Sequence, residues 1–166
     1  MKIKITTDST CDLGESIQKR NIAVMPLSVI LGENSYRDGI DITPADIFAY
    51  VAKTNELPKT AAPSIADYEE FFRPFVEEGY EVLHFNISEK SSSAHAYARE
   101  AAKIFCGKVT VIDSMALSSG QGLMVMKAAD LVGEGLSASE IASRVKALAP
   151  KINTSFIPDR LDYLYK

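Results

Sequence analysis

Apolar runs rich in β-branched residues alternate along this chain with segments that carry the 3.6-residue period of amphipathic helices. Three of these runs, Lys2–Thr7, Glu81–Ile87 and Lys108–Ile112, are predicted strands, and each leads into a loop of serines or aspartates that opens a helix. Strands and helices in alternation predict an α/β fold, in which a mostly parallel sheet carries helices on both faces.

Local capping signals mark the helix starts. The pair Thr43-Pro44 predicts a helix that runs to about Lys53, because threonine is a good N-cap and proline suits the first helical position. Ser64 and Ser137 each precede an acidic residue by three positions, which is the capping-box pattern. The other predicted helices are Leu13–Arg20, Ile65–Glu78, Ser92–Phe105, Ser118–Leu131 and Ser137–Ala149.

The segments between these elements are less regular. Asn21–Leu31 predicts one long strand bent at Pro26, and Ser35–Arg37 predicts a short hairpin strand after a turn. Leu57–Ser64 is predicted to be a loop. Near the C-terminus, Lys151–Ile157 predicts a further strand.

The last residues indicate a second unit. Pro158-Asp159 is typical of a helix start, and it is followed by an apolar cluster that ends at Lys166. We therefore expect residues 1–150 to form one α/β domain and residues 151–166 to be the first elements of a truncated second domain. The clustered apolar residues are Leu161, Tyr163, Leu164 and Tyr165.

Composition and charge disfavour several classes of protein. The chain has 166 residues and a formal net charge of −4, without a basic block, so we expect no nucleic-acid partner. Cys11 and Cys106 match no metal spacing, which favours two reduced thiols in a cytoplasmic protein. The N-terminus has no apolar signal region, and the apolar stretch Leu123–Val132 is far shorter than the ~20 residues of a membrane span.

The loops after the strands carry the candidate chemistry. Ligands of open α/β sheets bind beyond the carboxyl ends of the strands, where helix N-termini attract anions. Asp8 and Ser9 follow the first strand, Ser91-Ser92-Ser93 follow the second, and Ser114 follows the third. These residues predict a hydroxyl-rich site for a phosphate or a carboxylate, although Asp8 is equally suited to capping its own turn.

Thr60 lies ahead of the capping residue Ser64 and has no capping duty, so it is free to face a ligand. One of the three adjacent serines is expected to cap its helix. The Gly120-Gln121-Gly122 segment is a partial glycine loop, which favours close helix packing over phosphate binding.

Catalytic motifs are scarce. Ser92 and His95 would make a nucleophile–base pair for a serine hydrolase, but no nucleophile elbow surrounds them. His84 lies in an apolar strand and is expected to be a core histidine. No P-loop, dinucleotide fingerprint or zinc motif is present, so the sequence predicts no metal and no cofactor. A phosphosugar or nucleotide site would need converging basic residues, of which Lys90 is the nearest.

Several segments together resemble the DegV family, in that family's order and over essentially the whole chain. They are DSTCDL from Asp8, YRDG from Tyr36, KTAAPS from Lys59, ISEKSSSA from Ile87, VIDSMALSSGQG from Val111 and FIPDRLDYLYK from Phe156. The resemblance implies the fatty-acid-binding subunit of a bacterial fatty-acid kinase, a carrier of phospholipid metabolism that is not itself an enzyme. It implies two α/β domains with a long-chain fatty acid between them, and the acyl carboxylate exposed to the kinase subunit.

By this resemblance Thr60 and Ser92 would hydrogen-bond the carboxylate. The family usually has Ser-Gln where this chain has Ala61-Ala62, and its Ser-Gly-Thr is replaced by Ser92-Ser93-Ala94. The resemblance also allows transient contact with a membrane surface. The alternatives are a serine hydrolase that uses Ser92 and His95, and a phosphosugar- or nucleotide-binding domain.

Overall fold

The computed structural model describes residues 2–158. Seven strands are present in that range: β1 Lys2–Asp8, β2 Ala23–Met25, β3 Ser28–Leu31, β4 Asn34–Arg37, β5 Lys59–Ala61, β6 Tyr80–Asn86 and β7 Val109–Asp113. The α-helices of the same range are α1 Ser16–Lys19, α2 Pro44–Thr54, α3 Ile65–Glu77, α4 Ala94–Ala102, α5 Ser118–Gly133 and α6 Ala138–Leu148. Short 3₁₀ turns cover Ser9–Cys11, Lys103–Phe105 and Ala149–Lys151.

A four-stranded parallel sheet in the order β2-β1-β6-β7 forms the centre of the molecule. Helices α5 and α6 cover one face, where Leu83 and Ile112 belong to a core with Met124 and Ile141. Helices α3 and α4 cover the other face, around the fully buried Phe72. The predicted α/β class, with a parallel sheet between two helical layers, is confirmed.

A second, antiparallel sheet in the order β4-β3-β5 lies beside the first and packs against α2. The prediction of one long strand over Asn21–Leu31 is wrong, because the chain leaves the parallel sheet after β2 and enters the second sheet at β3. Pro26 lies at the break, and proline has no N–H with which to continue a ladder. The predicted hairpin strand near Ser35–Arg37 is confirmed as β4.

The capping signals were reliable. Thr43, Ser64 and Ser137 each accept a hydrogen bond from the backbone N–H three residues on, and the acidic residue at that position bonds back. Helix α1 is shorter than predicted. Asp12 and Gly14 have φ angles of 48° and 52°, in the left-handed region, so the helix cannot begin at Leu13.

The strand predicted over Lys151–Ile157 is absent from the structure. Lys151 ends a 3₁₀ turn and the residues to Pro158 pair with no strand in the described range. Ile152 instead packs against the core beneath α5 and α6, and Thr154 lies over Gly120 of α5. The helix predicted from Pro158-Asp159 and the apolar tail cluster lie outside the described residues, and the domain division at residue 150 stays a prediction.

Candidate functional site

The carboxyl ends of the parallel strands converge as the sequence predicted. The Asp8 carboxylate, at the end of β1, accepts hydrogen bonds from the Asn86 side chain at 3.2 Å and from the Ile87 backbone N–H at 2.7 Å. The loop after β6 is joined in turn to the loop after β7, because the Ser88 N–H donates to the Ala116 carbonyl at 2.9 Å. These three loops therefore form one connected surface.

Asp8 is the anchor of this surface. Its side chain is fully buried, and Oδ1 accepts from the Thr10 N–H, the Thr10 hydroxyl and the Gln121 amide. With Asn86 and Ile87 on Oδ2, five donors surround the carboxylate. The sequence left capping and ligand contact equally open for Asp8. The structure places it as a cap that also positions the β6 loop.

Gln121 supports this surface, a role that the sequence did not predict. It lies in the first turns of α5, is fully buried, and donates through Nε2 to Asp8 at 2.7 Å and to the Thr7 hydroxyl at 2.9 Å. The glycines on either side of Gln121 are the sequence feature that could have indicated this role. A Cβ on Gly122 would lie 2.7 Å from the Cys11 carbonyl, so only glycine lets α5 approach closely enough to deliver the amide.

The serine loop, defined here as Ser88–Ser93, leads from β6 into α4. Ser92 is half-buried, and its hydroxyl accepts from the Ala94 N–H at 3.2 Å, so it provides the one cap expected of the three adjacent serines. Ser93 occupies the N-cap position without a side-chain cap bond. Ser91 and Ser93 are exposed, and within residues 2–158 their hydroxyls make no hydrogen bond. Helix α4 begins at Ala94, two residues later than predicted.

Ser9 and Ser114 differ from the exposed serines. The Ser9 hydroxyl accepts from the Leu27 N–H at 3.1 Å and thereby ties the first loop to the entry of β3. Ser114 is fully buried, and its hydroxyl both donates to and accepts from the backbone of Ala116. The Ser9 hydroxyl thus links two segments of the chain, whereas the Ser114 hydroxyl stabilises a turn and is closed to an outside ligand.

Thr60 lies on β5 and not in a loop, because Lys59–Ala61 pairs antiparallel with β3, where Thr60 is opposite Val29. The predicted Leu57–Ser64 loop is corrected accordingly. Thr60 is exposed, and in the described part of the chain no hydrogen bond joins it to Ser92. The structure therefore brings Asp8, Ser9 and the serine loop together and leaves Thr60 on the neighbouring sheet.

His84 is a core histidine, as predicted. It is fully buried among the rings of Tyr68, Phe71 and Phe72, and its Nδ1 lies 2.8 Å from the Thr6 hydroxyl. Burial, with a smaller contribution from the charge of His95, lowers the pKa of His84 to about 3. The ring is therefore neutral at physiological pH and stabilises the core.

His95 does not form a nucleophile–base pair with Ser92. The Ser92 hydroxyl is bonded to Ala94, and no hydrogen bond between Ser92 and His95 exists within the described residues. The ring is 5% exposed, its Nε2 lies 4.0 Å from Glu89, and burial lowers its pKa. The first geometric requirement of a serine hydrolase is thus missing.

Within residues 2–158, neither a cluster of metal ligands nor a membrane-spanning helix contributes to the candidate site. In the range 2–158, no three His, Cys, Asp or Glu side chains come together as possible metal ligands. Nor does that range contain a helix that is long and apolar enough to cross a membrane. Both cysteines are free thiols, and burial raises the pKa of Cys11.

Known proteins similar to this chain were found by sequence and by structure. The model of the DegV family matches residues 2–166. A DegV domain-containing protein of Listeria monocytogenes is 36% identical over 167 residues, which cover 99% of this chain and 60% of that protein. The chain thus spans about three fifths of this relative.

Two solved structures have the same fold. A fatty-acid-binding DegV family protein from Thermus thermophilus is 38% identical, with a TM-score of 0.84 over 90% of this chain and 54% of that chain. The fatty acid kinase (Fak) B3 protein of Streptococcus pneumoniae, loaded with linoleic acid, is 27% identical, with a TM-score of 0.76 over 90% of this chain and 55% of that chain. This chain matches about half of each.

Proposed function

Because this chain belongs to the DegV family, we propose that it is the part of a fatty-acid carrier that holds the acyl carboxylate. The observation that carries the proposal is the serine loop. Exposed, unbonded hydroxyls of Ser91 and Ser93 flank Ser92 at the start of α4, on a loop that the buried Asp8 carboxylate fixes in place.

The local electrostatics suit a carboxylate. The first N–H groups of a helix have no intrahelical partner and carry a partial positive charge. Ser93 caps none of those of α4, and Ser92 uses its hydroxyl only as an acceptor from Ala94, which leaves its proton to donate. Hydrogen bonds to a charged acceptor are about twice as strong as neutral ones.

Thr60 is proposed as a second contact to the carboxylate, as the family resemblance implies. Its hydroxyl is exposed on the antiparallel sheet, and the Ser9–Leu27 hydrogen bond links that sheet to the loops of the parallel sheet. Ser9 and Asp8 are then positioning residues. Ser114 is not included, because its hydroxyl is enclosed by Ala116.

The rest of the acyl chain needs apolar walls beyond the serine loop. Each buried CH₂ group contributes about 0.8 kcal/mol, so a long-chain fatty acid is held mainly by enclosure. We propose that residues 151–166 lead into a second domain that completes this enclosure. The printed names of the relatives in T. thermophilus and S. pneumoniae support fatty acid as the ligand class.

The carrier acts with partners in this proposal. A fatty-acid kinase subunit would receive the exposed carboxylate, which agrees with the naming of the S. pneumoniae relative. A membrane surface would exchange the fatty acid, and the 73% exposed Phe48, beside an apolar cleft of about 210 Å³, supports such contact. A cytoplasmic location and the absence of a nucleic-acid partner stay predictions from the sequence.

Native mass spectrometry of the full-length protein that contains this chain tests the proposal. We expect a bound mass equal to a long-chain fatty acid from the expression host, which solvent extraction releases. An assay with p-nitrophenyl esters should show no turnover. Protein that carries no acyl chain, even after incubation with palmitate and oleate, would contradict the proposal.

A further inference from the structure

One outer edge of the parallel sheet, formed by β7, is open within the described part of the chain. Strand β7 pairs with β6 on one side, and none of the strands found within residues 2–158 pairs with its other side. An open edge presents a row of unpaired backbone N–H and C=O groups, which another extended segment can complete. Natural edges are usually short, bulged or covered, so a regular open edge is a candidate docking surface.

The register of β7 shows which groups are available. The Lys108 carbonyl accepts from the Val82 N–H at 2.8 Å, and the Ser114 N–H donates to the Asn86 carbonyl at 3.2 Å. In a parallel ladder alternate residues direct their backbone groups to the same side. The residues whose backbone groups point away from β6 are therefore Val109, Val111 and Asp113.

Two adjoining clefts, of about 550 and 390 Å³, follow this edge and share Arg99 and Val111. The outward-directed residues Val109, Val111 and Asp113 line them, so the open backbone groups face accessible space. We call this surface, the β7 edge with its two clefts, the edge groove.

The edge groove is flanked by cations. Arg99 comes from α4, on one face of the sheet, and Lys146 comes from α6, on the other. Neither forms an ion pair with any described residue. The two carboxylates that line the groove are engaged elsewhere, since Glu100 pairs with Lys103 and Asp113 Oδ1 accepts from two backbone N–H groups.

We propose that the edge groove binds an extended, acidic segment of a partner protein, which adds to the sheet as a fifth strand next to β7. Main-chain hydrogen bonds to Val109, Val111 and Asp113 supply affinity in this recognition mode, and side chains supply specificity. Because the side chains of an added strand alternate between the two faces, acidic residues on both faces meet Arg99 and Lys146.

Charge argues against a second copy of this chain as the occupant. Two β7 edges in contact would bring the Arg99 and Lys146 side chains of both copies together, while the carboxylates that line the groove, Glu100 and Asp113, are already engaged within their own copy. Like charges that face one another across a strand pair are destabilising. The inference stands apart from the serine loop and does not require a bound fatty acid.

The test uses the full-length protein, labelled with ¹⁵N, and two short blocked peptides. One alternates valine and threonine with glutamates placed on both faces, and the other has lysine in place of each glutamate. We expect the glutamate peptide alone to slow amide exchange at Val109 and Val111 and to bind at least tenfold more tightly than the lysine peptide. Absence of binding, or equal binding of both peptides, would overturn the proposal.

Variants separate backbone pairing from charge. Arg99→Glu with Lys146→Glu should reverse the preference between the two peptides, whereas the exposed control pair Lys19→Glu with Lys53→Glu should not. Val111→Pro removes an outward N–H without breaking the β6 ladder, and it should abolish peptide binding. Sedimentation velocity measures self-association of the wild type and of the variant. A wild-type dimer that the Val111→Pro substitution dissociates would identify a second copy as the occupant and contradict the proposal.

Discussion

Two neighbouring polar regions of this molecule differ in how their hydrogen-bonding groups are satisfied. In the first region, the Asp8 carboxylate is fully buried and accepts five hydrogen bonds from surrounding donors. In the serine loop, Ser91 and Ser93 are exposed and their hydroxyls are unbonded within the described residues. Both regions could be read from the sequence as polar loops. In the structure the Asp8 region is a fixed support, and the serine loop is a surface with hydroxyls available to a ligand.

The difference shows how such a site is built. Hydrogen bonds within a buried polar network make it rigid, and here both oxygens of the Asp8 carboxylate are used, although the buried Asn86 Oδ1 has no partner among the described residues. A ligand, in contrast, needs groups whose hydrogen bonds are not yet used. Asp8 joins the two regions, because its bond to the Ile87 N–H fixes the start of the serine loop.

The largest expected effect is at the support. Asp8→Ala would leave several buried donors without an acceptor, each at a cost of about 1–3 kcal/mol, so we expect unfolding free energy to fall by about 3 kcal/mol or more. Urea unfolding measures this loss. The exposed Glu33→Ala is the matched control and should change stability by less than about 0.5 kcal/mol. A similar small change for Asp8→Ala would show that the network does not support the loops.

A smaller effect is expected where α5 approaches the first loop. Gly122→Ala would place a Cβ 2.7 Å from the Cys11 carbonyl and 2.9 Å from the Leu13 side chain, which predicts a loss of about 1–3 kcal/mol. Gly133, at the other end of the same helix, has no atom within 4 Å of such a Cβ, so Gly133→Ala should be neutral or stabilising. Thermal unfolding of the Gly122→Ala and Gly133→Ala variants measures this difference in stability. Equal melting temperatures would mean that close packing does not position Gln121.

The third effect depends on pH. Burial keeps His84 neutral in the folded state, with a pKa of about 3, whereas the unfolded chain titrates near pH 6.5. The unfolded state therefore binds more protons below pH 6.5, and stability falls as pH decreases toward 3. Between pH 7 and 5.5 the loss is about 1 kcal/mol.

Urea midpoints across that pH range, for the wild type and His84→Gln, isolate this contribution. The histidine-free variant should show a weaker dependence, because its side chain does not titrate. Parallel curves for the two proteins would contradict the assignment and would place His84 in contact with water.

Local sequence signals predicted much of the fold. The capping boxes at Ser64 and Ser137, and the strands β1, β6 and β7, depend on residues within a few positions of one another. Two of the predictions that were wrong depended on distant partners. The strand predicted over Lys151–Ile157 has no neighbour to pair with among residues 2–158, and β5 exists only because β3 lies beside Lys59–Ala61.

The candidate site divides in the same way. The hydroxyls of Ser91, Ser92 and Ser93 could be read directly from the sequence at a helix start. The roles of Asp8 and Gln121 could not, because the bonds from Asp8 cross 79 residues to Ile87 and 113 residues to Gln121. The sequence placed Asp8 at the right edge of the sheet, and only the packing of α5 shows that its carboxylate faces inward.

Calorimetric titration of oleate into the delipidated full-length protein tests the central claim most directly. A lost hydrogen bond to a charged group costs about 1.5–3 kcal/mol, so Ser92→Ala should weaken binding by roughly ten- to a hundredfold. Ser64→Ala, which removes only a cap, should leave affinity unchanged and lower stability by about 1 kcal/mol. Equal affinity of the wild type and Ser92→Ala would contradict the assignment of the serine loop as the carboxylate site.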